Sequence, residues 1–171
     1  MRIVRSIVLA AAAAALVYAP LQARNVNGWE VARTKAGACM MTANFEDGSH
    51  GGVSLALTWN ELEGRLGFLA ASKHWNRLMK EMGDPTSLQL TFDGDVPYTQ
   101  WFHEAARFQN LGRGTEAVAG SWGPENSDRL AEAVTRSRQV SVVVGETDLG
   151  SFDISGSAEA YRELLRCGER G

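Results

Sequence analysis

The stretch "GGVSLALTW" constrains this chain more than any other. Val53, Leu55, Leu57 and Trp59 alternate with Ser54, Ala56 and Thr58. Successive side chains of a strand point to opposite faces, so the spacing predicts a β-strand with one face in a core. The pattern recurs. "CMMTANF" puts Cys39, Met41, Ala43 and Phe45 on one side, and "SLQLTF" does the same with Leu88, Leu90 and Phe92. Between the first two of these strands, "EDGSHGG" offers positive-φ positions for a turn at Asp47-Gly48 and Gly51-Gly52. "GWEVAR" reads as the first strand, and "RLGFLAAS" as another, entered through a turn in "NELEG". Local pairing of such segments gives an antiparallel sheet.

Elsewhere the spacing becomes helical. In "HWNRLMKEMGDP", Trp75, Leu78, Met79 and Met82 fall at i, i+3, i+4 and i+7, predicting a short helix ended by Gly83 and Pro85. "GPENSDRLAEAVTRSRQ" has Pro124 for a first turn, acids early and arginines late, with Leu130, Ala133 and Val134 as its stripe. "VSVVV" reads as a buried strand, followed by "GETDLG" and "SFDIS" as a returning hairpin. Ser157 then stands where it would cap a last helix bearing Ala160, Tyr161, Leu164, Leu165 and Gly168 on one side. Residues 98–122 match neither period: "YTQWFHEAARF" fits strand or helix, and "GRGTEAVAGSWG" a loop with a short strand inside. The expected fold class is α+β. It is an antiparallel β-sheet of about 7–9 strands, sandwich or half-barrel, with a C-terminal helix-hairpin-helix segment.

The N-terminus sets the compartment. Arg2 and Arg5 precede an uncharged apolar run from Ile7 through Tyr18, the layout of a secretory signal peptide. Residues 1–23 are therefore expected to be the leader, cut after Ala23, with 24–171 as a single periplasmic or secreted domain. The run is broken by Pro20 and Gln22 and passes at once into polar sequence, so no membrane insertion is expected after the leader is removed. In an oxidising compartment a chain with two cysteines is expected to close them. Cys39 and Cys167 would then tie the start of the domain to its end. They lack the C-x-x-C spacing of a redox pair.

Charge excludes some partners. Removing Arg2 and Arg5 from 17 basic residues leaves 15 against 20 acidic ones, a net charge near −5. Nucleic-acid binding draws most of its affinity from phosphate neutralisation by a basic footprint, which this chain does not carry, so no nucleic-acid partner is expected. Attraction to anionic lipid is disfavoured on the same grounds.

No local motif assigns catalysis, and no catalytic, metal or cofactor residue is expected. His50, His74 and His103 are dispersed, and neither H-x-x-H nor H-E-x-x-H occurs. Ser49-His50 lacks the G-x-S-x-G elbow. Asp93 and Asp95 are explained by a turn, without the further ligands of a calcium loop. "GRGTEA" matches a dinucleotide fingerprint but follows no clear strand. Five tryptophans are the compositional excess, and Trp101, Phe102, His103 and Trp122 form the candidate binding surface.

The layout of a leader, Trp29 with Cys39 ten residues on, several strands and a closing "SGSAEAYRELLRC" resembles small exported single-domain proteins of alphaproteobacteria, most of them without an assigned function. It also resembles periplasmic C-type lysozyme inhibitors, small and disulfide-bonded, which use an S-G-x-x-Y loop; here Ser155-Gly156 is followed by Tyr161, outside that spacing. The expectation is a non-catalytic periplasmic module that binds an envelope protein or a small ligand. The alternatives are a hydrolase assembled around His103, Glu104 and His50, and an enzyme inhibitor.

Overall fold

The alternating segments pair mostly as hairpins. The computed structural model describes residues 23–34, 37–46, 52–75, 86–94, 98–112, 114–121 and 123–169. The strands are β1 (Ala23–Val26), β2 (Trp29–Arg33), β3 (Cys39–Phe45), β4 (Val53–Asn60), β5 (Arg65–Ser72), β6 (Thr86–Phe92), β7 (Tyr98–Gly112), β8 (Thr115–Ser121), β9 (Gln139–Val144) and β10 (Thr147–Asp153). Two helices are described, α1 (Pro124–Arg136) and α2 (Ser157–Glu169). Every described pairing is antiparallel, in the order β1-β2-β3-β4-β5-β8-β7-β6-β9-β10.

The ten described strands exceed the expected count, and β7 explains why residues 98–122 defeated periodicity. At 15 residues it is twice as long as β6 or β8, about 50 Å at ~3.3 Å per residue. Its second half pairs with β8, as Phe108 with Val118, which completes a sheet of β1–β5, β8 and β7. Its first half pairs with β6, as Tyr98 with Phe92, and so belongs with β6, β9 and β10. One strand thus joins a seven-stranded sheet to a three-stranded one. β1 was missed for a different reason: it is four residues long and mostly exposed, so it carries no alternation.

The core lies on one face of the larger sheet. The register places Cys39 opposite Trp59 and Met41 opposite Leu57, and these residues point inward with Leu55, Phe68, Ala70 and Val118. Leu88, Leu90, Phe92, Val140, Val142 and Phe152 of the smaller sheet join the same cluster. The rings of Phe45 on β3 and Phe152 on β10 are 5.3 Å apart and tilted, a sheet-to-sheet contact. α2 crosses β2, β3 and β4, and α1 lies on β5 and against α2. Fully buried Leu130 and Leu164 anchor the two helices, each side chain contributing about 1.5–3 kcal/mol by leaving water.

Hydrogen bonds fix the helices in place. Ser127 Oγ accepts the Leu66 N–H at 3.0 Å and donates to the Gly123 carbonyl, so α1 is tied to β5 at its first turn. Ser157 does not act as the expected cap. It is the first helical residue, and its hydroxyl donates to the Val134 carbonyl at 2.6 Å, joining α2 to α1. Gly156 takes φ +85° and meets the β1–β2 turn so closely that a Cβ would sit 2.6 Å from Asn27 Cβ.

The opposite face of the larger sheet is not the polar surface that alternation implies. Met40, Ala56, Leu69, Ala71, Leu111, Ala117 and Ala119 form a second buried cluster there. Among the described residues, no helix lies on that side. The helix expected at residues 75–82 falls outside the described residues beyond Trp75, which is buried.

Candidate functional site

The expected surface of Trp101, Phe102, His103 and Trp122 is placed in part. Trp101 and Phe102 occupy the first half of β7, opposite Gln89 and Leu88. Leu88 pairs with Phe102 and Thr86 with Ala106, so residues 103–105 of β7 stand against Ser87 alone. His103 and Glu104 therefore lie in a bulged stretch, a device that re-aims residues and often borders functional sites. Trp122 and His50 lie outside the described residues, so the grouping of His50 with His103 and Glu104 has no described geometry. His74 is exposed in the turn after β5, where its N–H donates to Ser72 Oγ at 3.1 Å. Trp29 is buried and Trp59 half-buried, both on the inward face.

The best-defined constellation is built on α2. Cys39 and Cys167 are joined as a disulfide, with Cα atoms 6.0 Å apart, pinning the last helix to β3. Arg33, the register partner of Cys39, donates from its guanidinium to the carbonyls of Cys167 and Gly168. The last carbonyls of a helix lack intrahelical partners and carry the negative end of its dipole, so a cation there caps both. Gly168 lies against the base of the β4–β5 hairpin: a methyl on it would be 3.4 Å from Trp59 Cδ1 and 3.6 Å from a Glu61 carboxylate oxygen.

A turn earlier, Glu163 is buried and accepts from Arg24 of β1 at 3.0 Å and Arg166 at 3.2 Å. Burying a carboxylate is costly unless it is paired, and here two guanidinia supply the pairing. Sequence reasoning put Tyr161 and Leu165 on the buried stripe, but both are half-buried, while Glu163 is buried. The signal available was Glu163-x-x-Arg166, an i,i+3 ion pair. Arg33 left none.

Three described groups are shifted from their ordinary values. Asp93, at the end of β6, accepts the Gln139 and Arg138 N–H groups, both at 2.9 Å, and these hold its carboxyl below the ordinary value, Gln139 most. Asp153 is held down by hydrogen bonds from Ser155, side chain first and then backbone. Tyr161 is pushed up by burial, with Asp128 adding to it. Among the described residues, no group of three or more His, Cys, Asp or Glu side chains is placed to hold a metal ion. No described helix is long and apolar enough to cross a membrane.

These features define a class: an α+β protein of two antiparallel sheets sharing one long strand, with its last helix bonded covalently to its third strand. The closed disulfide fits an oxidising compartment. The chain is similar in fold to invasion associated protein B from Bartonella henselae, with a TM-score of 0.59 over 86 % of this chain and 99 % of that one, at 8 % identity. That likeness concerns the fold. No family model matches the chain, and no curated protein is significantly similar to it in sequence.

Proposed function

We propose that this chain is an exported, periplasmic interaction module that acts by binding an envelope protein and not by catalysis. The observation that supports the reading is how the described titratable groups are used. Catalytic sites perturb such groups in a cleft, with partners arranged for proton transfer. Here the buried carboxylate Glu163 is held by Arg24 and Arg166 across β1 and α2, and Asp93 and Asp153 cap backbone N–H groups at strand ends. Their chemistry is directed at architecture. A chain stapled from β3 to its last helix is a rigid scaffold, and preorganisation lowers the cost of binding. The bulged part of β7 with Trp101, Phe102 and His103 is one candidate contact region. The neighbour of similar fold from Bartonella henselae is named an invasion associated protein.

The test is a crosslinked pull-down of the tagged chain, residues 24–171, from its own cell envelope, with bound proteins identified by mass spectrometry. One stoichiometric protein partner is the expected result. A preparation free of protein partners that turns over an ester, amide or glycoside, and loses turnover on His103→Ala, would establish the hydrolase reading instead.

A further inference from the structure

Two glutamates of this chain are buried to the same depth, and their surroundings differ. Glu163 is 7 % exposed and Glu116 8 %. Glu163 meets the guanidinia of Arg24 and Arg166. Glu116, on β8, makes no ion pair among the described residues and accepts one hydrogen bond, from the Asn110 amide at 2.9 Å. Burying a carboxylate is costly unless charge and hydrogen bonds compensate it, so Glu116 bears a penalty that Glu163 avoids.

The register shows why no neighbour relieves it. Glu116 stands between Ser72 of β5 and Asn110 of β7, in a polar row that follows the apolar row of Ala70, Val118 and Phe108 on the inward face. The one hydroxyl proton of Ser72 goes to the Gly52 carbonyl at 2.7 Å, and its oxygen already accepts the His74 N–H. Asn110 is exposed, so the row opens to solvent at that edge of the core. Three residues past Ser72, Trp75 is 2 % exposed and its indole N–H has no acceptor. The end of β5 therefore lies beside a carboxylate short of a cation and leads into a buried donor short of an acceptor. Native proteins rarely keep such groups without a reason.

We propose that this end of β5 and β8 binds a small organic amine that also carries an oxygen acceptor, with its ammonium on Glu116 and its oxygen on the Trp75 N–H. The two unmatched groups select the class together. A lysine or arginine side chain of a partner carries donors only and would leave Trp75 unmatched. A divalent cation would do the same, and calcium takes about six to eight oxygen ligands where the row offers a single carboxylate. A charge-assisted hydrogen bond at a partly desolvated rim is stronger than the same bond in water. The site is separate from the envelope-protein contact, which the pull-down tests on its own.

The test titrates the chain, residues 24–171, with ethanolamine, glycine, methylammonium and N-acetylethanolamine by isothermal calorimetry, with melting temperature as a second readout. Ethanolamine or glycine should bind with a Kd of about 0.1–10 mM, the range open to so few atoms. Whichever binds assigns the oxygen as hydroxyl or carboxylate. Methylammonium lacks the acceptor and N-acetylethanolamine lacks the charge, so each should bind about tenfold more weakly or less. Glu116→Gln keeps the shape and the Asn110 hydrogen bond; it should weaken binding about 10–100-fold and raise the melting temperature of the free protein. Trp75→Phe should weaken the oxygen-bearing amine and leave methylammonium unchanged. Absent heats for every amine, binding indifferent to Glu116→Gln, or equal binding of methylammonium and ethanolamine overturns the proposal. A lower melting temperature for Glu116→Gln also overturns it, by showing the carboxylate to be already compensated. So does a Glu116→Gln chain that loses a pulled-down protein partner while the parent binds no amine, which would assign Glu116 to the partner's lysine or arginine.

Discussion

Replacing both cysteines by alanine measures how far the Cys39–Cys167 bridge stabilises the fold. The cysteines are 128 positions apart, so in the chain-entropy account the bridge removes about 5 kcal/mol of freedom from the unfolded chain at 25 °C. Native disulfides usually contribute about 2–5 kcal/mol. Cys39 is buried, and trimming its sulfur leaves a small void that adds to the loss. A loss of about 3–5 kcal/mol is therefore expected. Urea unfolding, followed by tryptophan fluorescence, should show the midpoint falling by about 2 M at an m-value of ~2 kcal/mol/M. Hydrogen exchange adds a local readout. The last turn of α2 keeps the Arg33 contacts but loses its covalent tie, so it should exchange faster, while the middle, held by buried Ala160 and Leu164, keeps its protection. A loss below about 1 kcal/mol would refute the entropic argument, as would unchanged exchange in the last turn.

Three further outcomes follow from the geometry. Gly156→Ala combines a positive φ with a Cβ placed 2.6 Å from Asn27 Cβ and 2.8 Å from its carbonyl oxygen, so it should cost about 1–3 kcal/mol in denaturant titration; a neutral result would mean that the β1–β2 turn yields freely. Glu163→Ala should cost about 1–3 kcal/mol because two guanidinia lose their acceptor, whereas Arg24→Ala, on an exposed arm, should cost less than about 1 kcal/mol; equal losses would contradict a buried acceptor shared by two donors. Asp93 and Asp153 have folded-state values lowered from the ordinary 3.8, so their stabilisation is present above that pH and lost as pH falls through the lower folded values. Asp93→Asn with Asp153→Asn should flatten the acid limb of a melting-temperature profile below about pH 4, and an unchanged limb would count against both caps.

Legibility in the sequence followed how much of an element faces a single environment. β3, β4 and β6 each keep one face in the core along their length, so alternation announced them, and Leu88, Leu90 and Phe92 are all buried. β7 changes partners midway, from β6 to β8, and carries a bulge at residues 103–105, so no single period survives along it. The residues opposite the core were misread for a related reason. Ala56 in "SLALT" looks like the solvent side of a strand, yet it packs with Leu69 and Ala119 in a second cluster, because small side chains on adjacent strands close over one another. Pairings such as Arg33 with the end of α2 span 134 positions, and no local pattern encodes them.

Those long-range ties share an address. The disulfide, the Arg33 cap and the Arg24–Glu163 pair span 128, 134 and 139 positions, and all end on α2. α2 covers β2, β3 and β4 and brings Ala160 and Leu164 into the main core, so the inward face of those strands is finished only when the last 13-residue helix arrives. Contacts of such separation form late, because loop closure must precede their gain. Until then Trp29, Val31, Cys39 and Met41 lack their cover, and the chain remains far from its native state through most of its length. A fold whose described strands are covered by α2 and tied to it by a disulfide fits an oxidising compartment.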